Sequence, residues 1–391
     1  MLENSMMKNM LTILIFGLML LQGFMDNIRG VLIPSIQAAF QVDYTSLAWI
    51  VLISILGYIT ATFSGGPLID RLGQKKVIFI GFCGLGFGAF GIAYAWNYTL
   101  LLLCIYFIGY GTGSINIGAS TIAPILFIKN QAIMMNLLHF FYGLGAAIGP
   151  RYAGIMLAAN FLWRDVYHFS LLILTILGIY FLFCRFPKVE KQESQQKLSY
   201  RQIISDKNII LFALILGFYV AAEIGIANWL VTYLQQGKAV EPLKSASYLS
   251  AFFLVFTLGR FVGGFIAERL GYMYSIILYI SMALGCLALG IFGGNYFIFM
   301  ISASGFFFSI VYPTMMALLI KTFNQGINSI ISFVITASSL INMMGNWLVG
   351  KINDFWGVRV GFYLIPFYMT ILLALVILLS RNLRKLQDVK K

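Results

Sequence analysis

Apolar residues fill the chain in long blocks separated by short polar breaks, and the blocks fall near residues 9–35, 46–69, 76–96, 99–127, 133–160, 166–186, 208–236, 245–267, 273–293, 296–321, 328–351 and 357–380. Each exceeds the roughly 18 residues that an α-helix needs to cross a hydrocarbon core of about 30 Å. The pattern predicts an all-α membrane protein of twelve transmembrane helices. One long polar connection interrupts it, KVEKQESQQKLSYRQIISDKN at residues 188–208, rich in Lys, Gln and Ser and without apolar periodicity. It divides six spans from six. The expected organisation is an N-terminal six-helix bundle over residues 1–187, a cytoplasmic linker or short surface helix over 188–207, and a C-terminal six-helix bundle over 208–391.

Composition agrees with this pattern. Of 391 residues, 60% are hydrophobic and only 10% are charged, with a mean hydropathy of +0.90. A soluble domain carries about a quarter charged residues. The net charge of +13 suggests nucleic acid only until its distribution is considered. Lys75, Lys76, Lys129, Lys188, Lys191, Arg201, Lys321, Arg381, Arg384 and Lys385 all fall on the side that an even number of spans assigns to both termini. That side is expected to be cytoplasmic by the positive-inside rule, and no nucleic-acid partner is implied. Cys83, Cys104, Cys184 and Cys286 are isolated, with neither disulfide nor metal spacing. No small-residue cleavage site follows a short apolar core at the N-terminus, so the first run reads as a retained span.

An internal repeat supports two halves. GGPLIDRLGQKK (Gly65–Lys76) follows the second span and GGFIAERLGYMY (Gly263–Tyr274) follows the eighth, both reading G-x-x-x-[DE]-R-L-G at an offset of 198 residues. Such duplication points to two bundles related by a pseudo-two-fold axis. Gly73 suits the left-handed conformation that ends a helix. The stretch from Gly66 to Lys75 resembles the loop signature of the major facilitator superfamily, G-x-L-x-D-R-x-G-x-K. The resemblance extends over the whole chain through the twelve spans, the linker and the echo in the second half. It implies that Gly66, Asp70, Arg71 and Gly73, with Glu268 and Arg269 in the echo, govern a conformational switch rather than contact solute. NLLHFFYGLGAAIGP (136–150), GFYVAAEIGIANWLVTYL (217–234), GFFFSIVYPTMMALL (305–319) and GFMDNIRGVLIPSIQAAF (23–40) are similar to the fucose–galactose–glucose:proton symporter branch. That type carries Asn-Asp where this chain has Arg29-Gly30, and a glutamate at the place of Asn116. A competing resemblance, Gly145-x-x-x-Gly149-Pro150-x-x-Ala153-Gly154, is to the fifth-span signature of drug:proton antiporters; small residues there allow close helix approach.

Few ionisable groups lie within the spans, and each costs at least about 2.5–3.5 kcal/mol at the bilayer centre on insertion scales. Asp26 and Arg29 share a helix face at i, i+3. They read either as a self-neutralising structural pair or as a proton site tuned by its neighbour. Glu223 has no basic residue within a turn of its own helix, which suits a group that must bind and release a proton. Moved back by the repeat offset, it lands beside Asp26. Asp26 and Glu223 are therefore the proton-coupling candidates. The solute-binding candidates are Gln22, Arg29, Asn116, His139, Tyr142, Arg151, Asn228, Trp229, Tyr233, Asn342 and Asn346, with Trp347 alongside. Amides and aromatic faces of this kind suit a hydroxyl-rich ligand. The competing reading is that single amides only bond helix to helix.

No metal-ligand spacing, Ser–His–Asp set or glycine-rich phosphate loop occurs, so an enzyme is not expected. The sequence predicts a secondary active transporter of the cell membrane, probed by a small-molecule solute and surrounded only by lipid. It is expected to be monomeric, with no cofactor and with a proton or other ion gradient as the energy source. A sugar moved by proton symport is the first expectation. Paired arginines, Arg29 with Arg151, raise an organic anion or sugar acid instead, and a Met- and Phe-rich interior raises drug:proton efflux.

Overall fold

The structure, a computed structural model, describes residues 5–126, 131–186, 200–323 and 327–388. The first half holds α1 (Ser5–Phe40), α2 (Tyr44–Leu72), α3 (Gln74–Ala93), α4 (Tyr98–Leu126), α5 (Gln131–Ala158) and α6 (Trp163–Phe183). The second holds α7 (Tyr200–Ser205), α8 (Lys207–Thr232), α9 (Pro242–Leu270), α10 (Tyr272–Phe292), α11 (Phe299–Phe308), α12 (Val311–Thr322), α13 (Ile327–Trp356), α14 (Val358–Phe362) and α15 (Leu364–Asp388). Eleven helical segments are long and apolar enough to cross a membrane, and α5 is the twelfth by position. The expected linker lies outside the described residues as far as residue 199; its last part forms α7.

Short turns join successive helices, so they alternate in direction between a near end, where α1 begins, and a far end, where it finishes. Some of these turns need glycine. Gly73 and Gly271 carry φ of +82° and +84° and join α2 to α3 and α9 to α10 with no further loop. An L side chain is strained there. The two sequence echoes therefore make the same backbone turn. The tenth span differs from the continuous helix expected over 296–321. It breaks between α11 and α12 at Ser309–Ile310. Pro313 lies inside the run; it lacks an N–H and its ring crowds the carbonyl four residues back, that of Ser309.

Close backbone approach holds each half together. A Cβ on Gly109 of α4 would sit 2.0 Å from the Ser54 carbonyl oxygen of α2, and one on Gly145 of α5 would sit 2.0 Å from that of Leu20 on α1. Hydrocarbon gives helices no hydrophobic reason to associate, so small residues that permit such contact carry the packing. The halves meet through α1 with α8, α2 with α13, and α5 with α9. Several hydrogen bonds join the halves in the middle and far part of these helices. They are Arg29–Asn228, Tyr44–Asp354, Thr45–Asp354, Tyr44–Gln236, Gln37–Gln236, Ala147–Ser250 and Arg151–Ser247. Those of Gln37, Tyr44, Thr45 and Arg151 close the far end.

Gly109→Val is expected to abolish a monodisperse folded protein in size-exclusion chromatography. Gly285→Ala, where an added Cβ meets nothing within 4 Å, should be neutral or raise stability by up to about 1 kcal/mol through helix propensity. Asp43 caps α2 by accepting from the Ser46 amide at 2.8 Å. Hydrogen bonding to Ser46 holds its carboxyl below the usual range, helped by Lys351. A depressed carboxyl stabilises the fold above its unfolded value of about 3.9 and loses that contribution as pH falls through the lower native value. The melting-temperature gap between wild type and Asp43→Ala should thus stay constant from about pH 5 to 8 and shrink below about pH 4.

Candidate functional site

Two charged groups of opposite sign come from each half near the centre. On α1, Gln22, Asp26 and Arg29 recur at i, i+4 and i+7 and share one face. Asn116 of α4 donates its Nδ2 to Gln22 Oε1 at 3.2 Å. The Tyr142 hydroxyl of α5 points at Asp26 Oδ2 from 3.4 Å, and Thr112 of α4 lies nearby, its hydroxyl donating to the Gly109 carbonyl at 3.1 Å. Arg29 does not close onto its helix neighbour alone. Its Nε donates across the interface to Asn228 Oδ1 at 3.1 Å, while Asn228 is steadied by its own Nδ2 donating to the Ile224 carbonyl at 2.8 Å. Asp26, Tyr142 and Tyr167 are the electrostatic neighbours of Arg29.

The second half supplies Glu223 on α8. The sequence reading left it without a cation, and the structure corrects this. Arg260 of α9 is its electrostatic neighbour, and Tyr219 lies beside it one turn earlier on α8. The Arg260 guanidinium lies 4.4 Å from the Phe256 ring centroid, a distance at which the ring face attracts a cation. Its buried Nε has no hydrogen-bond partner. Tyr219 donates its hydroxyl to the Phe308 carbonyl at 2.9 Å, and Tyr312, one residue before the proline that breaks the tenth span, faces both Glu223 and Arg260. The halves meet at the tyrosines. Tyr142 lies in the field of Asp26, Glu223 and Arg260, and Tyr58 in that of Asp26 and Tyr312. His139, exposed on α5, lies in the field of Arg260. The arrangement is two acids, two guanidiniums and a layer of phenols, balanced in charge and rich in donors and acceptors.

Other expected residues are placed elsewhere. Arg151 is not beside Arg29; it is exposed in the far half of α5 and donates to the Ser247 hydroxyl. Asn342 and Asn346 are buried, with Asn346 Nδ2 donating to Asn342 Oδ1 at 2.8 Å and to the Ala221 carbonyl at 3.5 Å. They join α13 to the Ala221 face of α8, and Asn346 Oδ1 stays buried without a partner. Trp229 is buried with its Nε1 unpartnered, and Tyr233 stacks on Phe362 at 4.2 Å in the far part of the second half. The near-end loops present Arg71, Glu268 and Arg269 to solvent. Gly66 and Asp70 lie on α2, but their side chains fall outside the described residues. Tyr58, Thr112, Tyr219 and Tyr312 were not anticipated, and Arg260 carried no assigned role.

Comparison with known proteins fits this architecture. Residues 15–326 match the family model of the Major Facilitator Superfamily, and the chain belongs to that family. It is 23% identical over 398 residues to the glucose/galactose transporter of Brucella abortus biovar 1 (strain 9-941), covering 92% of each chain. It is 24% identical over 388 residues to the L-fucose-proton symporter of Escherichia coli (strain K12), covering 88% of this chain and 85% of that one. Among solved structures, a bacterial homolog of the human lysosomal transporter Spinster, in an inward-facing and unoccupied conformation, shares the fold with a TM-score of 0.82. The two are 14% identical over 98% of each chain. The protein is a multi-pass membrane transporter and not an enzyme.

Glu223 and Arg260 are electrostatic neighbours within the membrane, and replacing one of two opposite charges there leaves the other uncompensated. Arg260→Gln should therefore lower the melting temperature in detergent markedly, and Glu223→Gln/Arg260→Gln should recover much of the loss. Equal melting temperatures for the single and double variants would show that the two charges do not stabilise each other.

Proposed function

We propose that this member of the Major Facilitator Superfamily moves a small, neutral, hydroxyl-rich solute of the sugar class in symport with protons. The two six-helix halves alternate access to the central site. The observation that carries the reading is the charge balance there. Asp26 with Arg29 and Glu223 with Arg260 leave no net charge to attract an ion, and the surrounding amides and phenols suit hydroxyl groups. The names of the Brucella and Escherichia coli relatives support a sugar. Asp26 and Glu223 are the proton-handling groups of this reading. Tyr142 and His139 line the solute side, and Gln22 with Asn116 fixes the α1 face.

In this reading the near end is cytoplasmic. Arg71, Lys75, Lys76, Lys207, Arg269, Lys321, Arg381 and Arg384 cluster there, as the positive-inside rule requires. Both termini then face the cytoplasm, and the conformation, closed at the far end, is inward-open. The protein acts as a monomer in the cell membrane, needs no cofactor, and takes its energy from the proton gradient. A sugar acid is the second reading. It rests on the two guanidiniums at the centre, Arg29 and Arg260 rather than Arg29 and Arg151, which present forks matched to a carboxylate.

Reconstituted proteoliposomes with an imposed pH gradient separate these readings. Labelled glucose, galactose or fucose should accumulate, with uptake alkalinising the outer medium. Glu223→Gln and Asp26→Asn should each keep solute exchange at equal concentrations while losing at least about tenfold in accumulation, a loss of about 1.4 kcal/mol of coupling. Accumulation of a hexuronate in place of the neutral sugars would select the second reading. Undiminished proton dependence in both variants would remove these acids from coupling.

A further inference from the structure

The far end of α13 places a carboxylate on a helix it does not belong to. Asp354 Oδ1 accepts from the Tyr44 amide at 2.7 Å and Oδ2 from the Thr45 amide at 2.7 Å, and the Thr45 hydroxyl also donates to Oδ2. Tyr44 and Thr45 open α2, in the opposite half. Amides in a first helical turn have no carbonyl partner within the helix. Asp43 caps only Ser46, so α2 has one cap from its own half and a second supplied by the other.

The α13 surface is built to match. Gly350 lies so close to α2 that a Cβ there would meet the Tyr44 carbonyl oxygen at 2.6 Å and the Ala48 Cβ at 2.7 Å. Lys351, one turn before Asp354, is an electrostatic neighbour of Asp43. The strip thus offers no side chain at the closest contact, a cation toward the acid, and an anion toward the positive end of the helix dipole. Tyr44 continues the seam through its hydroxyl, which donates to Gln236, whose Nε2 reaches Gln37 Oε1 at 3.1 Å.

We propose that Asp354 is a positioning residue of the transport cycle. It favours the far-end-closed state by supplying the second cap of α2, and loses that role when the halves separate there. The inference rests on the alternating-access part of the proposed function. Asp354 and the α2 amides turn to water in the open state, so what counts is the difference between a charge-assisted cap and hydration. A cap of this kind is worth on the order of tenfold in an equilibrium.

Distances measured between spin labels on the full chain in lipid nanodiscs test it, with Cys83, Cys104, Cys184 and Cys286 first replaced by alanine. Labels at Trp96 and Tyr296, both exposed, report the far end, and labels at Lys76 and Tyr274 report the near end. Asp354→Ala should shift the closed-to-open ratio at the far end by about tenfold and shorten the near-end distance. Asp354→Asn, which keeps one acceptor oxygen but no charge, should give a smaller shift and serves if the alanine variant folds poorly. Asp206→Ala is the control. Asp206 accepts from Asn208 and Ile209 at the start of α8, within a single half, so its loss should lower the melting temperature and leave both distances unchanged. The proposal is overturned if Asp354→Ala lowers the melting temperature with unchanged distances, or if Asp206→Ala moves them equally. The distances require no solute, so failure of every sugar to be transported would count against the sugar reading alone.

Discussion

Hydrocarbon solvates neither a backbone amide nor a charged side chain, and most of this structure follows from that constraint. Helices satisfy the backbone internally and leave only side chains and helix ends to be partnered. Inside the membrane, Asp26 faces the Tyr142 hydroxyl, Glu223 has Arg260 as its electrostatic neighbour, and Arg29 donates to Asn228. The polar groups are therefore concentrated where the two halves face one another, and the outer surfaces are left to residues such as Phe63, Phe183 and Phe265. A site for a polar solute arises where a bilayer protein can hold polar groups at all.

The same constraint governs how the halves touch. With no hydrophobic gain on association, contact must be made by close packing and by hydrogen bonds. At Gly30, an added Cβ would lie 1.9 Å from the Ala227 carbonyl oxygen, and next to it Arg29 crosses to Asn228. Gly143 against Thr257 and Gly154 against Ala246 make the equivalent approach between α5 and α9. The far-end seal is thus thin and polar. Its amides and hydroxyls are groups that water could satisfy equally well.

Much of this was legible in the sequence, and the misses share a cause. Apolar runs, the linker position and the repeated G-x-x-x-[DE]-R-L-G turn located the spans and the two halves, because each is a local signal. Spacing along one helix also put Gln22, Asp26 and Arg29 on one face. It could not say which neighbour that face meets. Asn342 and Asn346 share a face as expected, but the face looks at Ala221 and not at the centre. Arg151 lies level with Arg29, as the contact of Gly149 with Phe24 and Ile28 shows, but it is exposed and donates to Ser247 of α9 instead. Arg260 was recoverable. The helical run of α8 continues to Gly237, and Glu223 before it and Arg260 after the start of α9 fall within about one turn of the same depth on antiparallel neighbours. The break in the tenth span was also written in the chain, as Pro313, but an unbroken apolar run concealed it.

That break bears on the mechanics of the second half. A continuous helix bends only by stretching or losing a hydrogen bond, whereas at Ser309 the bond that Pro313 would have made is absent from the outset. α11 and α12 are two rods on a ready-made joint, with Tyr312 at the joint facing Glu223 and Arg260. The near part of the tenth span can swing toward the opposite half while α11 stays packed on α9. The second half thus carries a joint in its interior, next to the charges at the centre, where the first half has only continuous helices among its described residues.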